Sequence, residues 1–157
     1  TNDPGNLEDV KQETIDLILD TNLINVLLLT KGLIQEIKDS PSGRILFISS
    51  ILGLISTSGR VPYSTSKAGI LGMSRSLAVE LASHGVLVNT ICPGYINTDL
   101  TIKSLGREGI AEIAKNIPLK RLGLPEEIAE LAKWLLSPAN TYMTGQYLTV
   151  DGGITIV

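Results

Sequence analysis

Between residues 7 and 38 the apolar positions Ile15, Ile18, Leu19, Leu23, Val26 and Leu27 recur at spacings of three and four. That is the period of a helix with one buried face. The run Leu27, Leu28, Leu29 widens the face, so the helix is expected to be covered on two sides. Residues 39–43, DSPSG, end it, because proline and glycine resist helix continuation. The next run, RILFIS at 44–49, is continuously apolar where a half-exposed strand would alternate, as in a parallel strand covered on both faces. A small-residue loop over 50–62 leads to a second helix over 63–83, with Gly85 placed as a helix-terminating glycine. A second buried-type strand is predicted over 86–91, stopped by Pro93 and Gly94. Short helical segments follow over 104–116. A further helix covers 125–136, with Pro125 at its favoured first position and Glu126 and Glu127 in its first turn. A last strand at 146–150 closes in the turn Asp151, Gly152, Gly153, and residues 1–6 read as a loop broken by Pro4 and Gly5.

Helix, strand, helix, strand, helices, strand is the alternation of an α/β layered fold with a parallel sheet. No internal repeat, linker or low-complexity tract divides the 157 residues, so residues 1–157 read as a single unit. A chain that is 43% hydrophobic and 18% charged can bury a core. The net charge of −3, without any Lys/Arg run, argues against nucleic acid as the partner. The single cysteine, Cys92, allows neither an internal disulfide nor a multi-cysteine zinc site. No metal is therefore expected, and a reducing, cytoplasmic compartment is. No apolar stretch reaches the roughly 18–20 residues of a membrane span, and the polar first dozen residues do not read as a secretory signal.

The chemistry concentrates in the second helix. Tyr63 and Lys67 are four residues apart and share a face. A phenol ionises near about pH 10, so at neutrality it is a poor base. An ammonium about 4 Å away, at an effective dielectric near 20, interacts by about 4 kcal/mol, enough to draw the phenol toward working pH. Such a pair can protonate a carbonyl oxygen or take the proton of an alcohol. Ser50 lies at the C-terminal end of a buried strand, where open α/β sheets hold their ligands, and its hydroxyl can orient the same oxygen. Ser49 is the competing hydroxyl, but successive strand residues face opposite ways, so one of the two serves. Taken alone, the Tyr63/Lys67 spacing also fits an ordinary exposed helical pair.

The surrounding residues decide between these readings. The stretch GRILFISSILGLISTSGRVPYSTSKAGILGMSRSLAVELASHGVLVNTICPGYINTDL resembles the short-chain dehydrogenase/reductase family, with Ser50 thirteen residues ahead of Tyr63. Upstream, ILDTNL is similar to the segment that supplies the family's active-site asparagine; downstream, CPGYINTDL resembles the loop over the nicotinamide. RLGLPEEIAELAKWLLSPANTYMTGQYLTVDGG is similar to the family's closing helix, loop and strand, so the resemblance runs over residues 7–153. The DGG ending and the ICPG loop resemble the branch of 3-oxoacyl-carrier-protein reductases and of 3-ketoacyl or sugar-alcohol dehydrogenases.

The resemblance implies a Rossmann-type doubly wound parallel sheet and interconversion of an alcohol and a carbonyl with NAD or NADP. It implies Ser50 as the polarising hydroxyl, Tyr63 as acid/base, and Lys67 as the group that lowers the Tyr63 pKa and holds the nicotinamide ribose. It assigns Asn22 to a water relay, Pro93, Gly94 and Ile96 to the nicotinamide border, and Thr98 to its carboxamide. It also implies a homodimer or homotetramer built on the two long helices, consistent with small Ala68 and Gly72 and apolar Ile70, Leu77 and Leu81 on different faces of the second.

The family's opening strand and its T-G-x-x-x-G-x-G turn, which cradle the pyrophosphate, do not occur among these residues, nor does the N-N-A-G segment. The N-terminal dinucleotide-binding βαβ portion is thus expected to be lacking, and Thr1 falls just after the place where it would end. The 157 residues alone are expected to be inactive, as the C-terminal catalytic part of one Rossmann domain; the alternative is a truncated, non-catalytic oligomerising fragment. Without the second strand of the fold the choice of NAD or NADP is not legible. Ile102, Leu105, Ile110 and Ile117, in a segment expected to cover the substrate, suggest an apolar or acyl-like ligand. His84 is expected merely to complement a helix C-terminus, Cys92 to pack, Trp134 and Tyr142 to pack, and Asp99 to cap the helix that follows it.

Overall fold

A computed structural model describes residues 4–157; residues 1–3 of the expected N-terminal loop lie outside the described residues. Among the described residues three strands form one parallel sheet: β1 (Arg44–Ile48), β2 (Leu87–Pro93) and β3 (Tyr147–Val150), in the order β1-β2-β3. Ile45 stands beside Val88 and Phe47 beside Thr90; Thr90 in turn stands beside Tyr147. The apolar runs therefore form parallel strands, as their lack of alternation predicts. The second strand runs on through Pro93, because the amide of Gly94 still donates to the Val150 carbonyl at 2.9 Å.

The predicted long first helix is interrupted. Residues 7–10 form turns, and helix α1 (Gln12–Leu19) gives way to a π turn over Asp20–Ile24 before α2 (Asn25–Gly32) and α3 (Ile34–Asp39). The π turn takes in an extra residue, yet Leu23 and Val26 on either side of its end still pack against the core, so the three- and four-residue spacings do not reveal it. Helix α4 (Val61–Leu81) starts two residues before the predicted point, taking Pro62 into its first turn, where a missing N–H costs nothing. A short 3-10 turn, Ala82–His84, then ends at Gly85 in the left-handed region, φ 70°, the terminating role expected of it. Helix α5 (Asp99–Asn116) is longer than predicted and kinked at Gly106, and its cap is Thr98 in place of Asp99: the Thr98 hydroxyl accepts from the Thr101 amide. Helix α6 (Pro125–Leu136) matches its predicted bounds.

Phe47, Ile70, Ala78, Leu81, Val86 and Val88 form the core, with Leu23, Val26, Ile34, Ile37, Ile45, Met73 and Leu77 packed against it. Ile45, Phe47 and Val88 share one face of the sheet, which α4 and the first helices cover; α6 packs on β1 and β2 from the other face. This is the α/β fold with a parallel sheet wound on both sides. Two buried asparagines tie the last connection to it. The Asn89 amide donates to the Met143 carbonyl at 2.7 Å and its oxygen accepts from Gln146 N–H, while Asn140 bonds Leu135 and Met143. Trp134 and Tyr142, expected to pack, are 42% and 95% exposed. Among the described residues no helix is long and apolar enough to cross a membrane.

Candidate active site

The parallel strands β1 and β2 both end at one rim, and the candidate residues gather there. Ser50 follows β1 in extended conformation and opens a short 3-10 turn, its hydroxyl accepting from the Leu52 amide at 3.1 Å. Tyr63 lies in the first turn of α4, and it lines the same cavity wall as Ser50, whose hydroxyl draws the phenol pKa down. Ser49 is turned away, donating to the Lys67 carbonyl at 2.8 Å. Parity along the strand thus separates the two serines, and Ser50 is the one that meets the phenol.

Lys67 sits one turn beyond Tyr63. Its Nζ donates to the Ile48 carbonyl at 3.2 Å and stands 5.8 Å from the centre of the Tyr63 ring. Burial lowers the Lys67 pKa, a shift the Cys92 thiol partly opposes. Burial pushes the Tyr63 phenol above its ordinary value, against smaller opposite effects from the Ser50 hydroxyl and the Arg60 guanidinium. This differs from the expected dominance of Lys67. The ammonium addresses the ring and a backbone carbonyl, and its own charge is disfavoured by the same burial. The fully buried Cys92 thiol is pushed up by burial, with Ser49, Ser50 and Lys67 acting the other way. A basic group therefore does flank Cys92 in space, although none does in sequence.

A cavity of about 190 Å³ is lined by Ser50, Ile51, Leu52, Tyr63, Gly94, Tyr95, Ile96, Leu100 and Thr101. It brings Ser50, Tyr63, Gly94 and Ile96 together. Gly94 has no room for a side chain: a Cβ there would stand 2.8 Å from Cα of Asp151 in the C-terminal turn. Pro93 ends β2 just behind the cavity, and Thr98 caps α5 while its neighbour in that turn, Thr101, lines the wall. Asn22 lies in the π turn and reaches α4 through Ser66, its Nδ2 being 3.3 Å from the Ser66 hydroxyl. Tyr95, Leu100 and Thr101 were not singled out by sequence reasoning, although all three lie in or beside the CPGYINTDL stretch. Ile117, expected over the substrate, is buried instead, packed toward Gly152 of the C-terminal turn.

Set against known proteins, residues 1–155 match the family model described as enoyl-(acyl carrier protein) reductase. The chain is 43% identical to the acetoacetyl-CoA reductase of Cupriavidus necator over 139 residues, covering 88% of this chain and 56% of that protein. It is 38% identical to the 3-oxoacyl-[acyl-carrier-protein] reductase FabG of Vibrio cholerae over 148 residues, 94% of this chain and 60% of that protein. The structure of ElxO with NADP bound superposes with a TM-score of 0.91 at 27% identity, over 99% of this chain and 63% of that one. The chain thus spans less than two thirds of the length of each of these relatives.

Proposed function

The chain belongs to the short-chain dehydrogenase/reductase family, and from that premise we propose that it is the C-terminal catalytic part, residues 1–157, of a single Rossmann domain that interconverts a carbonyl and an alcohol with NAD or NADP. The observation that carries this reading is that Ser50 and Tyr63 line one cavity at the sheet rim, with Lys67 one turn behind. The free edge of β1 suits the next parallel strand of a longer sheet, since in the order β1-β2-β3 it has a neighbour on one side.

The residues present fit the nicotinamide end of such a cofactor. Tyr63 and Lys67 face the rim where parallel sheets hold ligands, and Lys67 has N–H donors beyond the one given to Ile48. Gly94 presents bare backbone to the cavity, with Pro93, Ile96 and Thr98 beside it. When bound, the cofactor supplies or accepts the hydride, which no side chain here can do. The Ser50 hydroxyl orients the substrate oxygen. In reduction the Tyr63 phenol gives that oxygen its proton, and in oxidation the phenolate takes the proton back. A pKa raised by burial keeps the phenol protonated at neutral pH, which suits the reducing direction. Lys67 holds the ribose, and Asn22 anchors the relay that returns the proton. Ile51, Leu52, Tyr95, Ile96 and Leu100 give the cavity apolar walls, so the substrate is an oxo compound with an apolar or acyl substituent.

The same reading places the protein in the cytoplasm as a homodimer or homotetramer. Leu28 and Leu29 are more than half exposed, and a groove between α2 and α4 is lined by Leu27, Gly72, Met73 and Leu77. Such a patch on two helices suits a second copy of the chain. The test of function is a screen of the full-length protein with NADH and NADPH against short 3-oxoacyl thioesters, simple ketones and sugar-derived ketones. Cofactor oxidation dependent on a 3-oxoacyl thioester is expected; no turnover with any carbonyl would overturn the reading.

A further inference from the structure

Ser66 is fully buried on the side of α4 that faces the π turn. Its hydroxyl donates to the Tyr63 carbonyl at 2.7 Å and accepts from the Asn22 side-chain amide at 3.3 Å. A hydroxyl has one proton, which the Tyr63 carbonyl takes, so a lone pair is left for the amide N–H. One atom thus joins the π turn to the helical turn that carries both Tyr63 and Lys67. A second contact sets the same register: a Cβ at Gly69 would stand 2.7 Å from the Leu23 side chain, so the two elements approach closely where Gly69 has none. At that separation a serine spans the gap.

We propose that Ser66 is a positioning residue for the reaction, holding the Asn22 amide and the first turn of α4 in one fixed relation. The inference rests on the oxidoreductase reading above. Ser66 touches neither substrate nor cofactor; it acts through Asn22 and Tyr63. Removing its hydroxyl takes from the half-buried Asn22 amide the acceptor that ties it to α4. Asn22 then settles elsewhere and the proton path behind Tyr63 loosens, while the cavity that binds substrate keeps its walls.

The experiment is a double-mutant cycle in the full-length protein with its cofactor, reading kcat, KM and melting temperature. Ser66→Ala is expected to lower kcat roughly tenfold with KM unchanged, as the loss of one buried hydrogen bond allows. The double variant Asn22→Ala/Ser66→Ala should be no slower than Asn22→Ala alone. A wild-type kcat in Ser66→Ala, or a full second loss in the double variant, overturns the proposal. If Ser66→Ala does not fold, Ser66→Thr and Ser66→Val, matched in shape and differing in the hydroxyl, decide: Thr must be faster by that factor, and equal rates overturn it. Tyr63→Phe is the control for the reading itself, since activity surviving there removes the oxidoreductase mechanism whatever Ser66 does.

Discussion

The Nζ of Lys67 stands 5.8 Å from the centre of the Tyr63 ring while giving a proton to the Ile48 carbonyl at 3.2 Å. In that position the ammonium meets the face of the ring and a backbone carbonyl. The groups that oppose the burial of the phenol are Ser50 and Arg60. Lys67 is not among the groups that shift the Tyr63 phenol, so the ribose role proposed for it does not depend on setting that acidity.

Arg60 therefore has a consequence for alcohol oxidation, which needs the phenolate. Its guanidinium draws the Tyr63 pKa down, so Arg60→Ala raises that pKa. The rising limb of the oxidation rate against pH should move to higher pH in the variant. Measured pH profiles of kcat on the full-length protein check this; an unmoved limb, or one moved to lower pH, contradicts it.

Gly94→Ala should damage the site without unfolding the protein. The added Cβ meets backbone of the C-terminal turn at 2.8 Å, so the loop carrying Tyr95 and Ile96 must shift. A misplacement of about 1 Å near the chemistry can cost on the order of a hundredfold in rate. Steady-state kinetics should show that loss, while the circular dichroism spectrum stays that of the wild type.

Asn89→Ala tests the fold away from the chemistry. Its amide and oxygen pair the Met143 carbonyl and the Gln146 N–H inside the protein. Losing both bonds, while the Met143 carbonyl keeps the Asn140 amide, costs about 1–3 kcal/mol. Urea unfolding should show a lower midpoint with an unchanged slope.

Asp151 gives the stability a pH dependence with a definite sign. Burial pushes its carboxyl up, but bonds from the Thr155 hydroxyl and amide and from the Gly153 amide outweigh this and hold it below its usual 3.8. Its contribution is whole above about pH 4 and is lost as pH falls through the depressed folded value. Glu127, lowered to about 2 by Arg121 and the Leu124 amide, adds the same sign in both proteins compared. Stability against pH should therefore fall more steeply below pH 4 in the wild type than in Asp151→Asn. Parallel curves would contradict the assignment.

Sequence reasoning succeeded where the signals were local. Helix α6 announces its start with Pro125, Glu126 and Glu127, and its bounds agree. Ser50, Tyr63 and Lys67 were legible because a strand end and the helix after it hold them near one another. The π turn was hidden because an apolar period passes through it. The cavity walls at Tyr95, Leu100 and Thr101 depend on how the loop after β2 folds back, which no spacing encodes. Arg60 acts on Tyr63 through space. Tyr142 misled by its size: a large ring suggests burial, yet it stands almost fully in solvent.

The central claim is that Tyr63 handles the proton of a carbonyl–alcohol interconversion. Its most direct test is single-turnover reduction by the full-length protein preloaded with reduced nicotinamide cofactor, comparing wild type with Tyr63→Phe. Losing the phenol hydroxyl is expected to slow the hydride-transfer step by on the order of 10²–10⁴ even with cofactor saturating. A Tyr63→Phe protein that reduces its substrate at the wild-type rate would contradict it.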